Sequence, residues 1–110
     1  MGTIQHDALL ITTYDDDSQK IREKIWEIAS RYSSDTGAPM DSLVLHGRSV
    51  MNGYGFVVVI PDGSKEWWGT SDVGDQMRAE IEEFCVDPAT HAHAVAVSWG
   101  ELRTSIREVP

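Results

Sequence analysis

The spacing of hydrophobic residues predicts two amphipathic helices that follow a strand. The run over 8–14 is almost continuously apolar and β-prone, as is typical of a central strand. A helix over about 18–33 follows, with Asp17 or Ser18 as its N-cap, and a second helix runs from a cap at 70–72 to Asp87. Each helix has one apolar face: Ile21, Ile25, Ile28, Ala29 and Tyr32 in the first, and Val73, Met77, Ile81, Phe84 and Cys85 in the second.

Two strand-like runs between the helices are predicted to form a hairpin. They span 42–50 and 54–60, and the Asn52-Gly53 pair between them is a strong hairpin signal. A short strand at 65–68 is predicted after the next turn. Beyond the second helix, a period-two run over 91–99 separates larger side chains from Ala94, Ala96 and Ser98, and a last strand spans 102–109. We expect the small-residue face to form the back of the sheet, open to a second subunit or to water.

The order of these elements predicts an α+β fold in one domain over 1–110. Two helices packed on one face of a mainly antiparallel sheet bury every apolar face economically, which favours a ferredoxin-like βαββαβ plan with possible extra hairpin strands. The exposed side of the first helix is basic and that of the second is acidic. The two helices are therefore expected to complement each other within one chain or across a dimer.

Composition predicts a soluble, intracellular globular protein. Of the 110 residues, 41% are hydrophobic and 25% are charged, which is within the globular range. The longest apolar run, 56–60, is far shorter than the ~20 residues of a membrane span. The N-terminus has no basic segment typical of a signal peptide. The single cysteine, Cys85, excludes a disulfide within the chain and a cysteine-based zinc cage.

The negative charge is concentrated in one part of the chain. The net charge is −9, and residues 62–87 contribute −6 of it, with eight acids against two bases. Such a field repels phosphate backbones, so direct binding of nucleic acid is not expected. It attracts basic protein surfaces, so the predicted partner is a protein with a basic surface.

Two adjacent tryptophans lie in this acidic segment. Successive residues of a strand point to opposite faces, so Trp67 and Trp68 cannot both enter one core. Exposed tryptophan is enriched at binding hot spots. The predicted partner-binding surface therefore comprises these tryptophans and the neighbouring acids: Trp67, Trp68, Asp72, Asp75, Glu80 and Glu83.

An acidic cluster at the end of the first strand offers an enzymatic alternative. Asp15, Asp16 and Asp17 could hold Mg²⁺ for phosphoryl chemistry, or could simply cap the first helix. The stretch over 9–32 resembles the opening of the CRISPR-associated Cas2 proteins, and this resemblance implies a small ferredoxin-like dimer with an aspartate at this strand end. His91 and His93 could chelate a metal, but we expect His6 and His46 to lie too far away to complete a site. No metal and no cofactor is therefore predicted.

A further resemblance covers about a quarter of the chain. A hydrophobic strand from Phe56 is followed by Pro61-Asp62-Gly63-Ser64-Lys65-Glu66, Trp68, Ser71-Asp72 and an apolar helix face ending in Phe84. This pattern resembles small uncharacterised proteins encoded by bacteriophages and prophages. The resemblance implies a phage or bacterial origin, with a location in the cytoplasm of a bacterium or of a phage-infected host cell, and it implies no activity. The leading hypothesis is a non-enzymatic protein-binding module, such as an inhibitor of a host factor or defence system. The alternatives are a Mg²⁺-dependent, Cas2-like nuclease and a virion or assembly component.

Overall fold

The predicted alternation of strands and helices is present in the computed structural model, which describes residues 3–14, 17–63 and 69–110. These residues contain two helices and five strands, and short 3₁₀ turns lie at Met40–Leu43 and Pro88–Thr90. In chain order the elements are β1 (Gln5–Thr13), α1 (Ser18–Thr36), β2 (Val44–Arg48), β3 (Gly55–Val59), α2 (Gly69–Val86), β4 (Ala92–Gly100) and β5 (Ser105–Val109).

The five strands form one antiparallel sheet in the order β2-β3-β1-β4-β5. The first four strands have the arrangement of a ferredoxin-like βαββαβ fold, and β5 adds an edge strand beside β4. The predicted fold class is therefore confirmed. The strand proposed at 65–68 lies outside the described residues.

The core lies between the two helices and one face of the sheet. The predicted apolar face of α1 is buried at Ile21, Ile25, Ile28 and Ala29. In α2, Met77, Ile81 and Cys85 are buried, while Val73 and Phe84 pack at the margin. The side chains that the sheet contributes come from alternate strand positions: Leu9, Ile11, Val44, Val57, Val59, Ala94 and Val109.

Glycines end α1 and form the hairpin turn as their positions suggest. Gly37 has a left-handed conformation with φ of 73°, and its amide donates to the Ser33 carbonyl oxygen at 2.9 Å, which ends α1. Between β2 and β3, Asn52 and Gly53 have φ values of 66° and 65°, as the predicted Asn-Gly turn requires. The hairpin that carries β2 and β3 is thus encoded locally.

The prediction for β4 is wrong about which face of the strand is covered. Ala94 and Ser98 are buried on the side of the helices, whereas Val95, Val97 and Trp99 are on the opposite side. Small residues are required here because α2 packs directly over β4. The back of the sheet therefore carries the larger side chains.

No helix in the described part of the chain combines the length and the apolar character needed to cross a bilayer.

Candidate functional site

The face of the sheet away from the helices is largely apolar, and we call it the open face. Pairing between strands sets Leu45, Val58, Leu10 and Val95 side by side in one row across β2, β3, β1 and β4. A second row joins Ala8 and Val97 to Ile106 on β5. Large side chains on this face remain exposed, with relative exposures of 47% for Leu10, 41% for Phe56 and 75% for Ile106.

Polar groups on the open face are few. In the five strands, its ionisable residues are His6, His93 and Glu108. The His6 ring lies 5.5 Å from the Trp99 ring, and His93 Nε2 is 3.5 Å from Glu108 Oε1. A solvated sheet face is ordinarily polar at alternate positions, so this face has the composition of a contact surface.

The outward side of α2 is the second distinctive surface, and we call Asp72, Asp75 and Glu83 the α2 acidic face. At about 100° per residue, these three positions fall within an arc of about 80°, opposite the buried Met77 and Ile81. All three side chains are exposed. In the described part of the chain no ion pair involves Asp72 or Glu83, whereas Asp75 Oδ1 accepts a hydrogen bond from Arg78 at 2.6 Å.

Glu80 differs from the other described residues of the predicted surface because it joins the two helices. Its Oε2 accepts a hydrogen bond from Arg31 of α1, and its Oε1 accepts one from the Tyr32 hydroxyl at 3.1 Å. Arg31 also lies over the Tyr32 ring, 5.6 Å from its centroid. The expected complementarity between the helices thus occurs within one chain at this point.

A cleft of about 270 Å³ lies between α2 and the β1-β4-β5 side of the sheet. Its lining includes the largely buried Arg78, which pairs with Asp75 and lies 3.9 Å from Asp7 Oδ2. On β5, Arg107 donates to Glu82 Oε1 at 2.7 Å. The cleft therefore contains charges of both signs, and Arg78 and Arg107 are paired with its carboxylates. We call it the α2–β5 cleft.

The acidic cluster before α1 is only partly described. Asp15 and Asp16 lie outside the described residues. Asp17 is at the N-cap position, without a side-chain capping bond, and its Oδ2 is 3.3 Å from His91 Nδ1. Within the described ranges, no group of three His, Cys, Asp or Glu side chains is arranged to hold a metal ion.

The remaining candidates are a cysteine and a pair of tryptophans. Cys85 is buried on the apolar face of α2, as predicted. Burial, and secondarily the nearby Glu82 carboxylate, raise the pKa of this thiol to about 11, which is opposite to the activation of a nucleophile. Trp67 and Trp68 lie outside the described residues, so their place in the predicted surface stays a prediction.

Sequence reasoning missed the open face and the α2–β5 cleft. The period-two pattern of 91–99 contained the open face, but periodicity alone does not say which side the helices cover. The cleft depends on β5, whose Arg107 approaches α2 because the strand lies at the sheet edge next to β4. The local pattern of 102–109 does not predict the contact between β5 and α2.

The fold defines an α+β protein of the ferredoxin-like plan. No protein-family model matches the sequence, and no curated protein matches it. Among solved structures, the chain is similar to a phage SAM lyase in complex with S-methyl-5′-thioadenosine, with a TM-score of 0.50 and 8% sequence identity. The match covers 99% of this chain and 91% of the lyase chain. This similarity is one of fold, and the neighbour is a phage protein.

Proposed function

We propose that this protein acts by binding another protein through the α2 acidic face, and that the partner surface is basic. The observation that carries the proposal is the unbalanced charge of α2, which has five carboxylates and one base, a formal charge of −4. That base, Arg78, is buried and points into the α2–β5 cleft. The outward side of the helix therefore presents negative charge to any approaching molecule.

The position of Glu83 supports a role in binding. Glu83 lies in the last turn of α2, where the negative end of the helix macrodipole disfavours a carboxylate, and that turn has no basic residue. Glu82 and Glu80 are offset by Arg107 and Arg31. A residue that opposes the stability of its own helix is a candidate for function.

Affinity capture from a bacterial lysate tests the proposal with a charge-matched control. The test variant is Asp72→Asn/Glu83→Gln, which leaves Glu80 in its contact between the helices. The control is Asp35→Asn/Glu101→Gln, which removes two exposed carboxylates elsewhere. We expect wild type and control to retain the same partner, the test variant to lose it, and capture to weaken as salt rises.

Equal capture by the test variant, or capture that salt does not weaken, would contradict the use of this face. Trp67→Ala and Trp68→Ala in the same assay separately test the tryptophans that complete the predicted surface. A retained basic protein that belongs to a host defence system would support the inhibitor hypothesis. A retained virion protein would favour an assembly role.

A second candidate function is binding of a SAM-type nucleoside in the α2–β5 cleft. It is favoured by the similarity to the phage SAM lyase over nearly the whole chain. The cleft volume suits a small ligand, and its paired charges could exchange partners with a ligand that carries both signs. SAM is such a ligand because it carries a sulfonium, an ammonium and a carboxylate.

Titration calorimetry with S-methyl-5′-thioadenosine and with SAM tests this second candidate. Ser105→Trp would fill the cleft from an exposed strand position. Thr104→Trp is the control, because Thr104 is the preceding residue and does not line the cleft. We expect wild type and Thr104→Trp to bind these nucleosides, and Ser105→Trp to bind them much more weakly. Absence of binding by wild type would exclude the candidate.

The magnesium alternative rests on Asp15, Asp16 and Asp17 and is tested separately. Cleavage of nucleic acid that requires Mg²⁺ and is lost in Asp15→Asn, Asp16→Asn or Asp17→Asn would support it.

A further inference from the structure

We propose that a second copy of this chain covers the open face, so that two sheets pack face to face with the helices outside. The proposal is independent of the α2 acidic face, which lies on the opposite side of the molecule. It rests on the composition, the size and the charge of the open face.

Exposed apolar side chains extend from one edge of the sheet to the other. Leu45 is on the edge strand β2, Phe56 on β3, Leu10 on the central strand β1, Trp99 on β4 and Ile106 on the edge strand β5. Their relative exposures are all 40% or more. Scattered apolar residues on a surface are ordinary, but a set that crosses a whole sheet on one face indicates an interface.

The size of the open face fits a stable association. The strands contain nine, five, five, nine and five residues in chain order. At about 3.3 Å per residue and about 4.8 Å between strands, they cover roughly 520 Å² in plan. Protruding side chains make the accessible area larger than the plan, and a standard interface buries about 800 Å² on each partner.

Charge argues that the occupant is another copy of the same chain. The protein carries a net charge of −9, so two copies repel each other over most of their surfaces. On the open face, the one carboxylate in the described strands is Glu108, which lies on the edge strand against His93. Two copies can therefore meet through this face without burying like charges at its centre. A basic partner selected by charge would bind elsewhere.

Sedimentation equilibrium over a wide range of protein concentrations tests the proposal. We expect wild type to have at least twice the chain mass of 12.2 kDa. Leu10→Lys introduces a charge at the centre of the open face and is expected to give a monomer. Trp26→Lys is the matched control, because Trp26 is 53% exposed on α1 and the charge change is the same. It should associate like wild type.

Circular dichroism separates loss of association from loss of folding. If Leu10→Lys does not fold, Ile106→Lys takes its place, because Ile106 is 75% exposed and contributes little to the fold of one chain. A monomeric wild type at all concentrations would overturn the proposal. Association that persists in a folded Leu10→Lys or Ile106→Lys variant would also overturn it.

Discussion

The two ends of α2 are predicted to respond in opposite ways to the loss of a carboxylate. Asp72 is in the first turn, where the positive end of the helix macrodipole favours a negative charge, and Glu83 is in the last turn, where the dipole opposes it. Both side chains are exposed. Asp72→Asn should therefore destabilise the protein, and Glu83→Gln should stabilise it.

The magnitude of each effect follows from position and exposure. An exposed charge in a terminal turn changes stability by roughly 0.3–1 kcal/mol at low ionic strength. Glu83 also lies three residues from Glu80 and four from Asp87, and like charges at this spacing cost about 0.2–0.5 kcal/mol per pair. The gain from Glu83→Gln should thus equal or exceed the loss from Asp72→Asn.

Urea unfolding followed by circular dichroism measures both variants, because urea is uncharged and does not screen the dipole. We expect the midpoints to move in opposite directions, and both shifts to shrink at about 1 M salt, where the screening length is about 3 Å. The double variant should be as stable as wild type or slightly more stable, which makes it suitable for the capture experiment. Shifts of the same sign, or shifts that salt does not reduce, would refute the reasoning.

Two further predictions concern the core. Gly55→Ala should lower the free energy of unfolding by about 1–3 kcal/mol, because the added Cβ would lie 2.5 Å from Thr13 Oγ1 and 2.6 Å from Ser18 Cβ. Thermal denaturation measures this loss, and an unchanged melting temperature would contradict the close packing of β3 under α1. At a pH well below 9, Cys85 should react with a thiol reagent at least about 100-fold more slowly in the folded protein than in urea. The reason is that its pKa rises from 9.0 to about 11, and a rise of two pKa units reduces the thiolate fraction by that factor. Its rate should keep rising up to about pH 11, and a plateau near pH 9 would contradict the raised pKa.

Local patterns predicted the helices well because the apolar spacing that defines each helix lies within its own segment of the chain. The apolar spacing from Ile21 to Ala29 fits a helix with one buried face, and in the structure that face packs in the core. α1 ends at Thr36, three residues beyond the predicted end. The helix continues through the serines of this segment and stops where Gly37 adopts the left-handed conformation that closes a helix.

Surfaces were harder to predict because they depend on elements far apart in the chain. Whether Ala94 or Val95 faces α2 is decided by the packing of the helix on the sheet, not by the strand itself. The partner contact predicted for Glu80 stays a prediction, and its ion pair with Arg31 was not predicted because it depends on the approach of α1. The Arg107–Glu82 pair likewise needs β5 in place.

The pairing of β1 with β4 has a consequence for how the chain folds. This ladder is the longest in the sheet, and it joins residues near the two ends of the chain, from Gln5 with Gly100 to Thr13 with Ala92. During synthesis, β1 can pair with β3 early, but its other edge stays unpaired until β4 emerges. An unpaired edge of a central strand is a template for wrong pairing between chains. The pairing of β1 with β4 is therefore a late, long-range step, and β4 covers the edge of β1 that would otherwise be open to aggregation.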